Sequence, residues 1–267
     1  MAFCEDKALT YLNNVGYNVV RLPRSDVKPL DILGQEESQP LERLGALPLV
    51  WQSAAPTPEP AAGDTAGISG RSTSAIKLSF GLKILENVLS CMGAAIPQVN
   101  GAYSRARSIR FEFREPVILS VDLFAIGRYL AKGDLATDNP VVSRYMLSED
   151  ARAYVIYEVL LSQAIRVSAL DEHEADAQVH VDLVKEAVGG NIEVTANGSS
   201  RGDLTYRGKT PLAFGYKAQE IIYGDTGWNV QRQETSAEGA LEFDPARPLA
   251  APVLFKGREF LGPKSRL

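Results

Sequence analysis

The chain has 267 residues, of which 45% are hydrophobic, and a formal net charge of −5. This length and apolar content are enough to bury a sizeable core, which excludes a disordered protein and fits one large domain or one domain with a small appendage. A net negative chain lacks the basic field that neutralises phosphates, so we expect no nucleic-acid partner.

The two cysteines, Cys4 and Cys91, are too few for a disulfide scaffold. The start of the chain has neither the basic region nor the apolar region of a signal peptide. Both observations predict a reducing, intracellular compartment. No run of residues approaches the roughly 18 apolar residues of a membrane-spanning helix.

The N-terminal part predicts one short helix, several extended segments and a long loop. In residues 5–15, Ala8, Leu9 and Leu12 have helical spacing and Gly16 follows as a stop, so we predict an amphipathic helix. YNVVRLP, KPLDIL and ALPLVW (46–51) predict short strands or extended segments. Residues 52–74 consist largely of Pro, Ala, Gly, Ser and Thr, which predicts a mobile surface loop.

Two later regions share a strand–helix–strand layout. In the first, AIKLSFGL (75–82) predicts a strand and KILENVLSCMG (83–93) a helix. Residues 108–123 then predict a second strand, because Ile109, Phe111 and Phe113 alternate with charged residues.

The second region begins with a long strand predicted over residues 153–169. VHVDLVKEAVGG (179–190) predicts the helix and NIEVTA (191–196) the returning strand. We expect the long strand to have one apolar face, formed by Val155, Tyr157, Val159, Leu161, Ile165 and Val167.

The C-terminal part predicts a hairpin or meander over residues 203–233, followed by a loop-like segment over 235–252. Residues 247–267 contain five basic side chains and one acidic one, a net +4, in a chain that is otherwise acidic. Helices alternate with mostly antiparallel strands, without the regular βαβ rhythm of a doubly wound sheet. The sequence therefore predicts an α+β fold.

Patterns that indicate catalysis or metal binding are sparse. His173 and His180 would share a face of a continuous helix and hold a metal with a carboxylate, but a solvated, acid-rich helix start explains them as well. GISGRS (67–72) lacks the lysine and the glycine spacing of a phosphate loop. Cys91, near Leu85 and Leu89, predicts a buried structural thiol, and RGD (201–203) predicts a turn. We expect no catalytic residues, no metal and no cofactor.

Taken together, the residues resemble the bacterial gasdermins over essentially the whole chain. The features that carry the resemblance are a Cys within the first few residues, a helix that leads into GYNVVRLPRSDVKPLDILG, two strand–helix–strand units and a short apolar, basic tail. The resemblance implies a twisted, mostly antiparallel central sheet wrapped by short helices. It implies a pore-forming domain over residues 1–243 and an autoinhibitory peptide over 244–267, with a linker from about residue 235.

The same resemblance implies a function. Bacterial gasdermins are held inactive in the cytoplasm, are activated by a caspase-like or other protease and then permeabilise the inner membrane in anti-phage defence. They carry a fatty acyl group on an N-terminal cysteine, which matches Cys4; a palmitoyl chain there would contribute about 0.8 kcal/mol per buried methylene. Ala2 excludes N-myristoylation, which needs Gly. The alternative is that Cys4 is an incidental thiol.

The two units are expected to supply the membrane-crossing strands. A β-strand crosses a bilayer with about 9–11 residues, one face apolar and the other polar. We expect insertion of the strands that contain Ile109, Phe111 and Phe113 and Val155, Tyr157, Val159 and Leu161, while helices 83–93 and 179–189 unwind. Many copies are then needed in a large ring, which forms from an inactive monomer. The alternative is that these are ordinary half-buried strands.

The tail is expected to keep the protein inactive by docking on the acidic body. Its apolar residues are Leu249, Val253, Leu254, Phe255, Phe260 and Leu261. Cleavage near Leu241, Glu242, Phe243 and Asp244 would turn a tethered inhibitor into a peptide that diffuses away. The alternative function is a soluble lipid- or ligand-binding α+β protein whose tail covers a pocket.

Overall fold

The structure is a computed structural model that describes residues 16–36, 39, 41–63, 76–95, 98–173, 175–197, 202–224 and 227–231. The predicted helix over 5–15 lies outside these residues. The strands are β1 (Asn18–Arg24), β2 (Asp31–Glu36), β3 (Glu42–Ala46), β4 (Trp51–Ser53), β5 (Ala61–Gly63), β6 (Ile76–Lys77), β7 (Ser108–Arg114), β8 (Val117–Ser120), β9 (Gly133–Leu135), β10 (Ala151–Leu170), β11 (Glu193–Ala196), β12 (Asp203–Gly224) and β13 (Gly227–Gln231). The α-helices are α1 (Leu78–Cys91), α2 (Leu123–Ala131), α3 (Pro140–Met146) and α4 (Val181–Val188).

One antiparallel sheet organises the protein. Its central order is β1-β12-β10-β2-β3, and β11 and β13 also pair with β12. The 20-residue strand β10 pairs with β2 near its start, with β8 in its middle and with β7 at its end. The predicted α+β class, with a mostly antiparallel sheet and short helices, is confirmed.

Strand β7 follows the predicted alternation. Ile109 and Phe111 are buried in the core, while Arg114 is exposed. The chain leaves β7 at Glu115, which has a positive φ of 49°, and Pro116 follows. Because proline cannot donate a ladder hydrogen bond, the predicted single strand over 108–123 is divided into two.

Local capping fixes the starts of the two middle helices. The Asp122 carboxylate accepts a hydrogen bond from the Ala125 amide of α2, at 3.1 Å. The Asn139 side chain accepts one from the Val141 amide of α3, at 2.9 Å, and Pro140 occupies the first turn. These are favoured N-cap and first-turn residues, so both helices begin where the sequence satisfies their free amide groups.

Three predictions about local structure are wrong. Residues 47–49 of the predicted strand 46–51 form a 3₁₀ turn that contains Pro48. The predicted loop 52–74 contains the end of β4 and all of β5, which pairs with β8; residues 64–74 lie outside the described residues. The predicted strand 75–82 is a strand only at Ile76–Lys77, and α1 begins five residues before the predicted helix.

The long strand β10 does not have the single apolar face that was predicted. Ile156 pairs with Ala218 and Glu158 with Lys217, so β10 has one extra residue at a β-bulge. A bulge reverses which side chains face each side of the sheet. Accordingly Val155 packs in one core cluster and Val159 in a different one.

The predicted hairpin over residues 203–233 is formed by β12 and β13, but β12 is a single strand of 22 residues. Its pairing with β10 is irregular at GKTP (208–211), because Ser162 pairs with Leu212 and Ala164 with Arg207. The predicted segments 179–190 and 191–196 contain α4 and β11, as expected.

Candidate functional site

The two strand–helix–strand units pack together on one side of the sheet. Both α1 and α4 contribute to a single apolar cluster, together with the ends of β7, β10, β11 and β12; we call it the shared core. Its members include Leu82, Leu85, Val88 and Leu89 from α1, Val184 and Val188 from α4, and Ile109, Phe111, Ile165, Val167, Val194 and Leu204 from the strands. The sequence predicted each unit separately, and the structure shows that neither covers its own apolar face alone.

Backbone and side-chain hydrogen bonds also join the two units. The Arg107 amide donates to the Leu170 carbonyl at 2.7 Å, and the His180 amide donates to the Ala102 carbonyl at 3.1 Å. The Asn191 side-chain amide, just after α4, donates to the Gly93 carbonyl just after α1, at 3.2 Å. One unit therefore cannot leave the sheet without disturbing the other.

The buried side of these strands also contains one polar pair. The hydroxyl groups of Tyr103 and Tyr206 are hydrogen-bonded to each other inside the shared core. Burial raises the pKa of Tyr103 above its usual range, so this phenol stays neutral at physiological pH. The pair satisfies two hydroxyl groups that would otherwise be buried without partners.

The opposite side of the same strands is charged. Arg166 on β10 binds Asp203 on β12, with 2.9 Å from Nε to Oδ1, and lies 3.5 Å from Glu112 on β7. Glu112 also accepts a hydrogen bond from Arg114 at 2.7 Å. The strands β7, β10 and β12 thus have one face for an apolar environment and one for water, which is the two-faced arrangement that a membrane-crossing strand needs.

A second polar cluster holds residue 17 on the centre of the sheet. The hydroxyl of Tyr17 donates to Glu158, whose carboxylate lies 2.9 Å from Lys217 Nζ. Lys217 Nζ lies 4.4 Å from the centre of the Tyr17 ring. Burial, and then the hydrogen bond to Glu158, raise the pKa of Tyr17 well above its usual range. This cluster ties the start of the described chain to β10 and β12.

Among the proposed membrane residues, Ile109 and Phe111 lie in the shared core, together with Ile165 and Val167 from the end of β10, while Phe113 stacks on Phe214 with the ring centres 4.0 Å apart. Val155 and Tyr157 pack in the cluster around Trp51, and Val159 and Leu161 in the cluster around Tyr216. The structure therefore brings together the β7 set and the end of β10, but not the four proposed residues of its first half.

Several proposed site residues lie outside the described residues. They are Cys4, the cleavage segment Leu241, Glu242, Phe243 and Asp244, and the tail residues Leu249, Val253, Leu254, Phe255, Phe260 and Leu261. The GISGRS segment (67–72) lies outside them as well.

The remaining chemical candidates carry no site. Cys91 is exposed, so the prediction of a buried thiol is wrong: it lies at the last residue of α1, on a side turned away from Leu85 and Leu89. His173 lies in a turn and His180 is the residue before α4, so they do not share a continuous helix. Among the described residues, no group of three or more His, Cys, Asp and Glu side chains could hold a metal ion. Asp203 of the RGD sequence is buried and paired with Arg166.

Sequence reasoning missed an apolar groove between β3 and α3. Ile32, Leu44, Leu49, Val141, Val142 and Met146 are among the residues that line it. The pattern of residues 46–51 predicts a strand and so hides the groove, whereas the 3₁₀ turn at 47–49 leaves Leu49 exposed.

The fold defines an α+β protein built around two strand–helix–strand units that share one core. Comparisons with known proteins identify its family. Residues 20–234 match the Bacterial Gasdermin Family model. A gasdermin bGSDM of Vitiosangium sp. is 39% identical over 226 residues, which are 83% of this chain and 83% of that protein. One from Lysobacter enzymogenes is 31% identical over 233 residues, 86% of this chain and 85% of that protein. The chain therefore belongs to the bacterial gasdermin family.

A solved structure supports the same fold. A bacterial gasdermin from Bradyrhizobium tropiciagri matches with a TM-score of 0.61 at 19% identity, covering 85% of this chain and 90% of that one. The family consists of pore-forming effectors of cell death rather than enzymes, which gives this protein its general role. In the part of the chain that the structure describes, no helix is both long enough and apolar enough to cross a membrane.

Proposed function

We propose that this protein is an autoinhibited pore-former that a caspase-like or other protease activates by removing the C-terminal peptide 244–267. The released copies assemble into a large ring and insert β-hairpins into the bacterial inner membrane. The resulting lysis kills the infected cell and so limits phage spread. In the inactive state the protein is a cytoplasmic monomer.

The observation that carries this proposal is a double pattern in α1. Leu82, Leu85 and Leu89 recur at helical spacing and pack in the shared core. The letters LSFGLKI (78–84) of the same helix also alternate apolar and polar residues, which is the period of a strand. A segment with both periods can bury an apolar face as a helix in one state and as a strand in another.

The length of α1 fits a membrane crossing. Its 14 residues span about 21 Å as a helix and about 46 Å as a strand. The second value exceeds the hydrocarbon thickness of about 30 Å. As a strand, α1 would therefore continue β6 into a segment long enough to cross the bilayer, alongside the residues that precede β7.

The second unit has a similar, weaker pattern. In VHVDL (179–183) Val179, Val181 and Leu183 alternate with His180 and Asp182. The 8-residue helix α4 is followed directly by a 3₁₀ turn and β11. Its conversion to a strand would give one continuous extended segment that ends in β11.

The shared core explains why such a change needs a membrane. Unwinding α1 and α4 in water would expose the apolar side chains of the core, at about 1.5–3 kcal/mol for each large one. Insertion into lipid removes this cost, because the same side chains pass from the core to hydrocarbon. The proposal therefore predicts that the inactive protein keeps both helices until a bilayer and neighbouring copies are available.

Acylation of Cys4 with a palmitoyl group is part of the proposal. An acyl chain would supply membrane affinity to a chain whose net charge of −5 does not favour anionic lipids. Intact mass of protein purified from its bacterial host should show the added chain, and Cys4→Ser should lack it and kill the host less efficiently. An unmodified Cys4 in the host protein would remove acylation from the proposal.

Dye leakage from liposomes tests the proposed activation. Residues 241–244 are replaced by the recognition sequence of a site-specific protease, and the unchanged protein treated with the same protease is the control. We expect leakage only from the engineered protein after cleavage, with rings visible by electron microscopy on the vesicles. Cleaved, folded protein that neither leaks vesicles nor forms rings would contradict pore formation. Leakage without cleavage would contradict autoinhibition.

A further inference from the structure

The groove between β3 and α3 is an exposed apolar feature of the described surface. It has a volume of about 130 Å³. Leu49 on its rim is 76% exposed and Val141 is 42% exposed, and the side chain of Leu147 is exposed just beyond α3. Contiguous exposed apolar side chains of this kind mark a surface that another segment or protein covers.

The surroundings of the groove are acidic. The nearby cations are already neutralised, because Arg43 binds Asp31 at 2.7 Å and Arg144 binds Glu36. By contrast Asp138, Glu149 and Asp150 are exposed next to α3 and form no ion pair with any other described residue. A partner for this groove should therefore combine apolar side chains with basic ones.

The groove also lies beside an open edge of the sheet. Within the described residues β3 pairs with β2 alone and ends the strand order on its side. An open edge offers unpaired amide and carbonyl groups to a neighbouring strand, and proteins often cover it until pairing is wanted. A segment seated in the groove would cover this edge.

The C-terminal tail can reach the groove easily. Gln231 at the end of β13 lies in one row of the sheet with Glu220, Tyr154, Leu33 and Arg43. That row crosses four strand spacings, about 19 Å, to β3. Leu249 follows Gln231 by 18 residues, and a chain of that length extends to about 60 Å.

We propose that residues 249–267 of this chain dock in the groove between β3 and α3. The apolar side chains of the tail fill the groove and its basic side chains lie against the acidic rim, which matches apolar to apolar surface and positive to negative charge. The docked tail covers the edge of β3 and so keeps a neighbouring copy from pairing there. This inference rests on the proposed autoinhibition and identifies the surface through which it acts.

Photo-crosslinking of the uncut, full-length protein tests the docking directly. A benzoylphenylalanine at position 49 should crosslink to a peptide within residues 249–267, as identified by mass spectrometry. The same probe at position 124 is the matched control, because Phe124 on α2 is equally exposed, at 73%. A crosslink from position 49 to a second copy, to another segment or to nothing would overturn the proposal.

A functional variant gives a second, independent readout. Leu49→Asp changes an exposed side chain, so the protein should fold, and circular dichroism checks this. The tether keeps the tail at a high local concentration, so docking should inhibit the uncut protein strongly. A variant that loses the docked state should therefore raise leakage by uncut protein by about tenfold or more. Phe124→Asp should stay inactive until it is cut. All variants here carry the protease site at residues 241–244. If cleavage activates the protein that keeps Leu49 while uncut Leu49→Asp remains silent, the groove proposal fails and the proposed function stands; if cleavage activates neither protein, the proposed function fails.

Discussion

Linking the two strand–helix–strand units covalently should block pore formation. A Cβ atom built on Gly93 lies 4.0 Å from the Cβ of Asn191, at the point where α1 and α4 end. Disulfides join Cβ atoms about 3.5–4.5 Å apart. Gly93→Cys combined with Asn191→Cys should therefore form a disulfide. Cys91→Ser is included because that exposed thiol, two residues from position 93, would compete.

The disulfide should be tolerated by the inactive protein. It closes a loop of about 100 residues, which stabilises the folded state by about 4.7 kcal/mol. Against this, Gly93 has a φ of 108°, and a non-glycine residue there costs about 1–3 kcal/mol. The hydrogen bond from Asn191 to the Gly93 carbonyl is also lost, at about 1 kcal/mol. The net stabilisation relative to the unchanged protein is about 1–3 kcal/mol, so the oxidised variant should fold and melt at or above the temperature of the unchanged protein.

Liposome leakage with cleaved protein measures the effect. We expect no leakage from the oxidised double variant and recovery of leakage when a reductant is added, because α1 and α4 must separate to become strands. Gly93→Cys alone, on the same background, is the control and should leak under both conditions. Full leakage by protein whose disulfide is verified by mass spectrometry would refute the claim that the two units separate.

Three further predictions concern the tail, the packing and the pH dependence of stability. Phe255→Asp should make the uncut protein toxic in a growth assay, because it weakens tail docking; a harmless variant would contradict docking. Gly202→Ala places a Cβ 2.2 Å from a backbone carbonyl and should lower the free energy of unfolding by about 1–3 kcal/mol in urea titrations, while Gly190→Ala, with open space, should not. The hydrogen bond from Arg24 lowers the pKa of Asp26, so its stabilisation is present above about pH 4 and is lost as the pH falls through the lowered pKa. Asp26→Asn should flatten that acid-side dependence in thermal unfolding, and an unchanged dependence would assign it to other groups.

The sequence predicted the elements whose periodicity is unambiguous. The charged and apolar residues of β7 alternate without interruption, and the glycine stop after α4 at Gly189 has a φ of 68°, which suits glycine. These signals are local, so they can be read without knowledge of the neighbouring strands. The long strand predicted over residues 153–169 is likewise observed almost as predicted, and it ends at Leu170.

Other features depend on partners and could not be read locally. The bulge near Tyr157 exists because β12 offers one residue fewer than β10, which the sequence of β10 alone does not reveal. The shared core is equally hidden, because nothing in either unit indicates that α1 and α4 cover the same face. The groove at Leu49 appears only when β3 and α3 are placed side by side.

The wrong strand prediction at 75–82 has a physical meaning of its own. As a helix, α1 is poorly specified at its start: Lys77 provides no side-chain cap, the first turn has no acidic residue, and Gly81 costs about 1 kcal/mol relative to alanine. What stabilises the helix is the packing of its leucines in the shared core. If lipid contacts replace that packing, the strand period of LSFGLKI favours a strand. The weak intrinsic helix preference of the segment then opposes the change only slightly. The ambiguity in the sequence is therefore the property that a segment needs if it is to change from helix to strand.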